Sequence, residues 1–258
     1  ALNLLKELHF PAGIIRVVTP ENVAFLADDY DFVKPFVSAF DFNHVFRTNT
    51  TNPLAETTTY LEQYAILLDN WLNDPSPIRV RNFDGFLSYL LGVDKYLCSY
   101  SGTCVFTFLS INPRGDIYPC DCWYPEEFCL GNVSEFDSFD DVYATPAFAK
   151  LLAVREKRKA FCKSCMIQPF CNGGCSAVAI NYSGGSLPEP SECETRKKEF
   201  VHFFNRIKDI HIEEIPNPNV RQLLSNVGYR SLSFIKEILG EAQFNDPANT
   251  NCKTNACM

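Results

Sequence analysis

Residues 162–175 read CKSCMIQPFCNGGC, which places four cysteines within 14 residues in the spacing Cys162-x2-Cys165-x5-Cys171-x3-Cys175. A C-x2-C pair lets two thiolates reach one metal centre without closing a long loop. Pro169 and the pair Gly173-Gly174 supply turns that aim the remaining thiols inward and leave backbone N–H groups near sulfur. This stretch therefore predicts a metal site with thiolate ligands.

Four further cysteines lie around this stretch and bring the candidate ligands to eight, two full sets of four. Cys98, Cys104 and Cys120 precede it, and Cys193 follows it. Four-cysteine zinc sites are also built from C-x2-C pairs, so zinc is the structural alternative. Eight thiolates without a histidine between them favour iron–sulfur clusters over zinc.

The distribution of all twelve cysteines argues against a disulfide framework. An even number fits such a framework, but small disulfide scaffolds spread cysteines through chains that lack a core. Here the first 97 residues contain no cysteine and are rich in Leu, Val and Phe, and all twelve cysteines lie between Cys98 and Cys257. We therefore expect metal ligation in a reducing compartment, the cytoplasm.

The composition describes an acidic globular protein of one or two domains. The chain has 258 residues, 46% hydrophobic and 21% charged, a net charge of −8 and a pI near 5.1. An acidic chain without a basic stripe excludes nucleic acid as a partner. No apolar run of about 18 residues predicts a membrane span, and no secretory signal is visible. The longest basic run, residues 155–159, is predicted to be a solvated helix face.

Residues 1–92 show strands alternating with helices. Strands are predicted over 13–18, 40–46 and 78–83, and helices over 1–8, from Pro20 to about Pro35, over 57–73 and over 85–91. Such alternation indicates βα units on a parallel sheet. We interpret residues 1–92 as the C-terminal βα units of a partial TIM-type barrel, with a small complete α/β layer as the alternative.

The rest of the chain is predicted to contain a hairpin and helices between cysteine-bearing loops. Strands 105–111 and 117–120 flank the turn at 112–116, and helices follow at about 137–160, 192–210 and 219–240. We expect a cysteine-rich domain over 93–212, and a C-terminal helix with a polar tail over 213–258. The fold class is thus α/β with an appended cysteine-rich domain.

The ordered cysteine pattern resembles a known family. The spacing Cys104-x10-Gly115-x4-Cys120, followed by the four-cysteine stretch at 162–175 and by Cys193, is similar to the SPASM domain of radical SAM enzymes. The segments at 117–121 (IYPCD) and 130–133 (LGNV) resemble the anaerobic sulfatase-maturating branch of that family. Counting Cys98, the resemblance extends over most of residues 14–207.

The resemblance implies two [4Fe–4S] clusters and a proton acceptor. Cysteines matching the family's first auxiliary cluster are Cys98, Cys104, Cys120 and Cys175, and those matching the second are Cys162, Cys165, Cys171 and Cys193. Asp121 matches the base that deprotonates the substrate side chain, and a base beside a cluster needs a tuned pKa. The alternative role for Asp121 is a turn residue that caps an N–H group. The implied substrate is a peptide or protein, oxidised at a residue such as Ser or Cys.

One departure from the family pattern affects the expected activity. The C-x3-C-x2-C motif that holds the SAM-cleaving cluster is absent from the sequence. We therefore expect the C-terminal portion of a longer or split enzyme, in which S-adenosylmethionine binds only to the complete enzyme. A non-catalytic iron–sulfur electron-relay or peptide-binding module for a partner subunit, and a zinc-structured interaction domain, are the alternatives.

Four cysteines fall outside the family pattern. Cys122 and Cys129 lie near the first ligand set and are interpreted as buried apolar residues. Cys252 and Cys257 lie in the polar tail and are interpreted as exposed thiols, with a substrate-like or cluster-capping tail as the alternative.

Overall fold

The computed structural model of the chain describes residues 2–44, 57–90, 100, 104–106, 108–122, 125–207 and 212–227. These residues belong to two compact units. The first comprises residues 1–46, 51–97 and 194–258, and the second comprises residues 47–50 and 98–193. The domain boundaries expected at 92/93 and 212/213 stay a prediction. No helix within the described ranges combines the length and apolar composition of a membrane span.

The elements are numbered in chain order. The strands are β1 Gly13–Val18, β2 Ala39–His44, β3 Arg79–Val80, β4 Ser110–Ile111, β5 Asp116–Tyr118 and β6 Gly131–Asn132. The helices are α1 Leu2–Glu7, α2 Leu26–Val33, α3 Thr57–Leu72, α4 Arg81–Leu90, α5 Phe139–Val142, α6 Pro146–Phe161, α7 Gln168–Cys171, α8 Ser176–Ser183, α9 Pro190–Ile207 and α10 Pro218–Val227.

The first unit contains a parallel sheet in the order β1-β2-β3, with helices connecting successive strands. The predicted parallel βα units are thereby confirmed. Within the predicted helix from Pro20 to about Pro35, the apolar side chains of Val23, Leu26, Tyr30 and Val33 are buried along α2 and the 3₁₀ turn before it. Three strands form an open sheet, so the described residues give a mixed α/β fold without barrel closure.

An aromatic core joins the sheet to its helices. Phe83 packs edge-on against Phe42 and Tyr64, with ring centroids 5.8 and 5.3 Å away, and lies 5.3 Å from Trp71. All four side chains are at most 4% exposed. Burying each aromatic side chain contributes about 1.5–3 kcal/mol, so this contact set supplies much of the first unit's stability.

The strand predicted over 78–83 is wrong beyond residue 80, because α4 begins at Arg81. Phe83, Phe86 and Leu87 are all buried, which is the i, i+3, i+4 spacing of a helix face. The Asn82 side chain accepts the Phe42 N–H at 3.0 Å and donates to the Phe42 carbonyl at 2.9 Å. A side chain thus replaces the ladder bonds that a longer β3 would have made.

The helix predicted from Pro20 also begins later, with a 3₁₀ turn at Val23–Phe25 and α2 at Leu26. Asn22 explains the delay, since its side-chain oxygen accepts the Thr19 N–H at 2.9 Å and closes a turn there.

The second unit is built on an antiparallel sheet, β4-β5-β6. The predicted hairpin is confirmed, but its strands are shorter than predicted, Ser110–Ile111 and Asp116–Tyr118. Val105, where the first strand was expected to begin, lies in a turn with a left-handed φ of 76°. Neither β6 nor α8 was predicted from the sequence. The helix expected over 137–160 is two helices, since Thr145 caps α6 by accepting the Phe148 N–H at 3.3 Å.

The predicted C-terminal helices are found in part. The helix expected over 192–210 is α9, Pro190–Ile207, and the one expected over 219–240 is α10, Pro218–Val227. Residues 228–258, with the predicted polar tail, lie outside the described residues.

Candidate metal centre

The hairpin fixes the backbone that leads to Cys120 and Asp121. Asn112 closes the turn, because its side-chain oxygen accepts the N–H groups of Arg114 at 2.8 Å and Asp116 at 3.0 Å. Hydrogen bonds from the Asn112 and Asn132 amides lower the pKa of Asp116 below its ordinary value. Gly115 completes the turn with a φ of 88°, a conformation that glycine adopts without strain.

Three thiols meet where β5 ends. The Cys122 thiol hydrogen-bonds with the thiols of Cys120 and Cys175, and these contacts, with burial, raise the pKa of Cys122. The Cys122 N–H also donates to Cys120 Sγ at 3.4 Å. Cys104 packs against the same apolar core, which Ile117 and Leu130 help to form.

Cys175 follows three residues whose backbone is in the left-handed conformation. Asn172, Gly173 and Gly174 have φ values of 53°, 88° and 72°, which reverse the chain between α7 and α8. Another residue at Gly174 would be strained by the φ of 72°, and its Cβ atom would lie 3.2 Å from the Glu192 carboxylate. Cys175 then caps α8, and its N–H donates to Glu192 Oε1 at 3.4 Å.

The side chain of a buried arginine, Arg158, hydrogen-bonds to the same segment. The Arg158 side chain is 1% exposed and donates to the carbonyls of Gly173 and Gly185, both at 2.9 Å, and to Ser176 Oγ at 2.7 Å. Cys104 Sγ lies 3.4 Å from the same Ser176 oxygen. The guanidinium charge is therefore connected to a candidate ligand through one hydroxyl group.

This burial overturns the expected solvated basic face at residues 155–159. Arg158 is fully buried and Arg155 is 6% exposed, with its guanidinium 6.0 Å from the Phe106 ring centre. Glu156 and Lys157 on the same helix remain exposed. Sequence reasoning missed Arg158 because a charge run on a helix gives no sign of which members turn inward.

The second predicted ligand set lies between the end of α6 and the first turn of α9. Cys162 and Cys165 bound a 3₁₀ turn in which the Cys165 N–H donates to the Cys162 carbonyl at 2.9 Å. Cys171 ends α7 and is 8% exposed, and Cys193 lies in the first turn of α9. Within the described ranges, three ligand atoms mutually within 4.8 Å occur only at Cys120, Asp121 and Cys122. The assignment of the second set stays a prediction.

Asp121 lies between two thiols and faces solvent. Its carboxylate lies within 4.8 Å of both Cys120 Sγ and Cys122 Sγ, and its side chain is exposed while both cysteines are partly buried. The arrangement sets an accessible proton acceptor directly beside a thiol group.

Three predicted positions lie outside the described residues, namely Cys98, Cys252 and Cys257. Cys122 packs against the apolar core as expected, but it also contacts two candidate ligands, which was not predicted. Its spacing of two residues from Cys120 was the sequence feature that could have indicated this. Cys129 is separate from the group, with its thiol 3.7 Å from the Gly131 carbonyl.

The donor set fits a thiolate-bound metal centre. All nine described cysteines are thiols outside any disulfide, and clustered thiolates without histidine suit iron–sulfur clusters or zinc. Three thiols in contact would repel one another once deprotonated, so a bound cation is needed to hold them as thiolates.

Comparison with known families decides what kind of domain this is. Residues 98–166 match the SPASM family, described as an iron–sulfur cluster-binding domain. The chain carries a SPASM domain. The matched residues include the candidate ligands Cys98, Cys104, Cys120, Cys162 and Cys165.

The chain is also similar to curated anaerobic sulfatase-maturating enzymes. It is 24% identical over 223 residues to the cysteine-type anaerobic sulfatase-maturating enzyme of Clostridium perfringens (strain ATCC 13124), covering 81% of this chain and 59% of the relative. It is 30% identical over 112 residues to the enzyme of the same name from Clostridium novyi (strain NT), covering 42% and 29%. The chain thus spans about three fifths of the length of the first of these relatives.

Solved structures show the same fold. The structure described as native anSMEcpe with bound AdoMet superposes with a TM-score of 0.67 at 23% identity, covering 79% of this chain and 57% of that one. The same protein with bound AdoMet and the Cp18Cys peptide gives a TM-score of 0.69 at 21% identity, covering 88% and 61%. The likeness confirms the expected resemblance of fold, with the SPASM domain in place.

Proposed function

We propose that this chain is the auxiliary-cluster portion of a radical SAM maturase that oxidises a side chain, such as Ser or Cys, of a peptide or protein substrate. The observation that carries the proposal is the meeting of the Cys120, Cys122 and Cys175 thiols beside the exposed carboxylate of Asp121. It joins ligands for a redox centre to a group able to accept a proton.

The cysteines hold the two [4Fe–4S] clusters in this proposal. Cys98, Cys104, Cys120 and Cys175 ligate the first, and Cys162, Cys165, Cys171 and Cys193 ligate the second. In the complete enzyme SAM supplies the hydrogen-abstracting species, and the clusters supply an acceptor for the electron that leaves the substrate. Thiols that need a reducing environment are consistent with a cytoplasmic location.

Asp121 takes the proton from the substrate hydroxyl or thiol. An exposed carboxylate can reach a docked side chain, and its nearness to the thiol group keeps the proton-accepting atom close to the redox centre. The partly buried neighbours Cys120 and Cys122 fix the backbone on both sides of Asp121, so little conformational freedom is lost when the substrate binds.

The relatives support a peptide substrate. One solved relative is described with bound AdoMet and the Cp18Cys peptide, and the curated relatives are named cysteine-type anaerobic sulfatase-maturating enzymes. Because the C-x3-C-x2-C motif is absent from this sequence, we assign SAM binding to an upstream portion or to another subunit.

Metal and sulfide analysis tests the cluster part of the proposal. Anaerobically reconstituted protein should contain about eight iron and eight sulfide per chain, as expected for two four-iron centres, with a brown colour. Stoichiometric zinc without sulfide would overturn it. With SAM and a strong reductant, the 258-residue chain alone should produce no 5′-deoxyadenosine, since both clusters are saturated by cysteine.

Replacement of the carboxylate tests the catalytic part. When the portion that carries the missing motif is supplied, Asp121→Asn should spare SAM cleavage and reduce peptide oxidation by roughly 10²–10⁴-fold, the contribution of a general base. Mass spectrometry quantifies 5′-deoxyadenosine and modified peptide in the same reaction. Glu126→Gln, which alters an exposed acid outside the thiol group, is the matched control. Undiminished product from Asp121→Asn would leave Asp121 as a turn residue.

A zinc-structured interaction domain is the second candidate. The observation that favours it is the contact between three thiols, because a single tetrahedral ion with bonds of about 2.3 Å draws its ligands close together. The same metal analysis separates the two candidates.

A further inference from the structure

A group of three metal-binding side chains lies on consecutive residues just after β5. The Sγ atoms of Cys120 and Cys122 and a carboxylate oxygen of Asp121 all lie within 4.8 Å of one another. Asp121 and Cys122 belong to neither of the proposed four-cysteine sets. The group therefore has a composition of its own, two thiols and one carboxylate.

The spacing of these three atoms fits a single ion. A tetrahedral Zn²⁺ ion with Zn–S bonds of about 2.3 Å holds its ligand atoms roughly 3.8 Å apart. Atoms that already lie within 4.8 Å of one another reach that spacing through small side-chain movements. Thiolate sulfur and carboxylate oxygen are both ordinary ligands of Zn²⁺. Three anionic groups at this distance repel one another, and a divalent cation offsets that repulsion.

Hydrogen bonds keep the two sulfur atoms close together. The Cys122 N–H donates to Cys120 Sγ at 3.4 Å, so the backbone folds back at this point. The Cys122 thiol also hydrogen-bonds with the Cys175 thiol, and a hydrogen bond to a ligand atom fixes the orientation of that ligand. Both contacts are made within the second unit, so the arrangement of the group is set there.

The exposure of the group lets an ion enter from solvent. Both cysteines are partly buried, and Asp121 is exposed. A zinc ion with three protein ligands binds water at its fourth position. Here that position would face the solvent on the side of the Asp121 carboxylate.

We propose that Cys120, Asp121 and Cys122 chelate one divalent ion of the zinc class when the chain carries no cluster. The site shares Cys120 with the proposed first cluster, so the ion and that cluster exclude each other. The inference itself requires no iron–sulfur centre. It gives the chain a second metal-bound state, in which Cys122 is a ligand and the Asp121 carboxylate binds the ion instead of accepting a proton.

Cadmium NMR of the full, cluster-free chain loaded with Cd²⁺ tests the site, because the chemical shift of the cadmium nucleus separates mixed thiolate–oxygen ligation from ligation by four thiolates. The unaltered chain should give a resonance of the mixed type. Cys122→Ala should remove that resonance and leave any all-thiolate resonance in place. Cys129→Ala is the matched control and should retain it, since the Cys129 thiol lies 3.7 Å from the Gly131 carbonyl. Cys122→Ser, which keeps the size of the side chain, should give the same loss, and circular dichroism verifies that each variant is folded.

Competition with a chromophoric chelator measures the affinity of the same site for Zn²⁺. Cys122→Ala should weaken the binding of one ion by more than the roughly 10–100-fold that loss of an outer hydrogen-bonding partner costs, and Cys129→Ala should leave it unchanged. The proposal would be overturned if the Cys122 variants kept the mixed resonance, or if the Cys122 and Cys129 variants lost it equally. Absence of iron and sulfide from the reconstituted, unaltered chain would instead overturn the proposed function, so the two failures are distinguishable.

Discussion

Arg158→Ala should weaken the second unit more than any exposed charge substitution on α6. The Arg158 side chain is buried and makes three hydrogen bonds, to two glycine carbonyls and to Ser176 Oγ. The substitution to alanine leaves these three acceptors without their donor. Two of those acceptors, on Gly173 and Ser176, flank the candidate ligand Cys175, so the effect falls on the segment that positions it.

The magnitude follows from the contacts. A hydrogen bond to a charged group contributes about 1.5–3 kcal/mol, but three such bonds in one network are not additive. The three acceptors are neutral, so Arg158→Ala leaves no buried charge behind, but each buried acceptor left unpaired costs about 1–3 kcal/mol. Because these losses are not additive, we expect Arg158→Ala to lower the free energy of unfolding by about 3–5 kcal/mol. Arg158→Lys keeps the charge without the forked geometry of the guanidinium, so a smaller loss of about 1.5–3 kcal/mol is expected.

Anaerobic urea denaturation of the cluster-free chain, followed by circular dichroism, measures these differences without a contribution from metal binding. Lys157→Ala, one residue away on the exposed side of α6, is the matched control and should change the stability by less than about 0.5 kcal/mol. If Arg158→Ala and Lys157→Ala behave alike, the guanidinium does not organise the segment and the reasoning fails.

Three other substitutions have defined outcomes. Cys171→Ala should remove about four iron while Cys252→Ala should leave the iron content unchanged; equal losses would refute the ligand assignment. Burial lowers the pKa of His44 from 6.5 to about 4, so between those pH values the unfolded chain binds the proton first and stability falls as the pH falls. His44→Gln should reduce that slope in urea titrations at pH 4–7, and an unchanged slope would contradict the assignment. Asn82→Ala should cost about 1–3 kcal/mol through two lost backbone hydrogen bonds, against little change for the exposed Asn43→Ala.

The sequence predicted the first unit well where periodicity was the determining feature. The strand over 13–18 is β1 residue for residue, and the helix over 57–73 ends one residue early in the structure. The prediction failed at residues 81–83, because the β-branched and aromatic residues of the stretch 78–83 indicated a strand. Tertiary contacts decided that position, because Asn82 bonds to a strand 40 residues earlier in the chain.

At the candidate site, spacing predicted the cysteines but not their surroundings. The cysteine motif predicted Cys120, Asp121 and Cys175. The structure places Cys120 and Cys175 in the group of thiols and Asp121 beside it. The motif could not predict the role of Arg158. The burial of its charge depends on the carbonyls of Gly173 and Gly185, which lie 15 and 27 residues later in the chain. Every residue has a backbone carbonyl, so the sequence does not show which carbonyls converge on one guanidinium. Only the fold shows it.

The candidate ligand Cys120 and the candidate base Asp121 occupy adjacent residues in a bend that follows β5. Burial alternates over Cys120, Asp121 and Cys122, with both thiols partly buried and the carboxylate exposed. The Cys122 N–H turns back to donate to Cys120 Sγ at 3.4 Å, and the two sulfur atoms lie within 4.8 Å of each other. The turn at Asn112 and the pairing of β5 with β6 fix the start of this bend. In the proposed function, a substrate side chain that approaches from solvent would therefore meet the Asp121 carboxylate before it meets the two thiols.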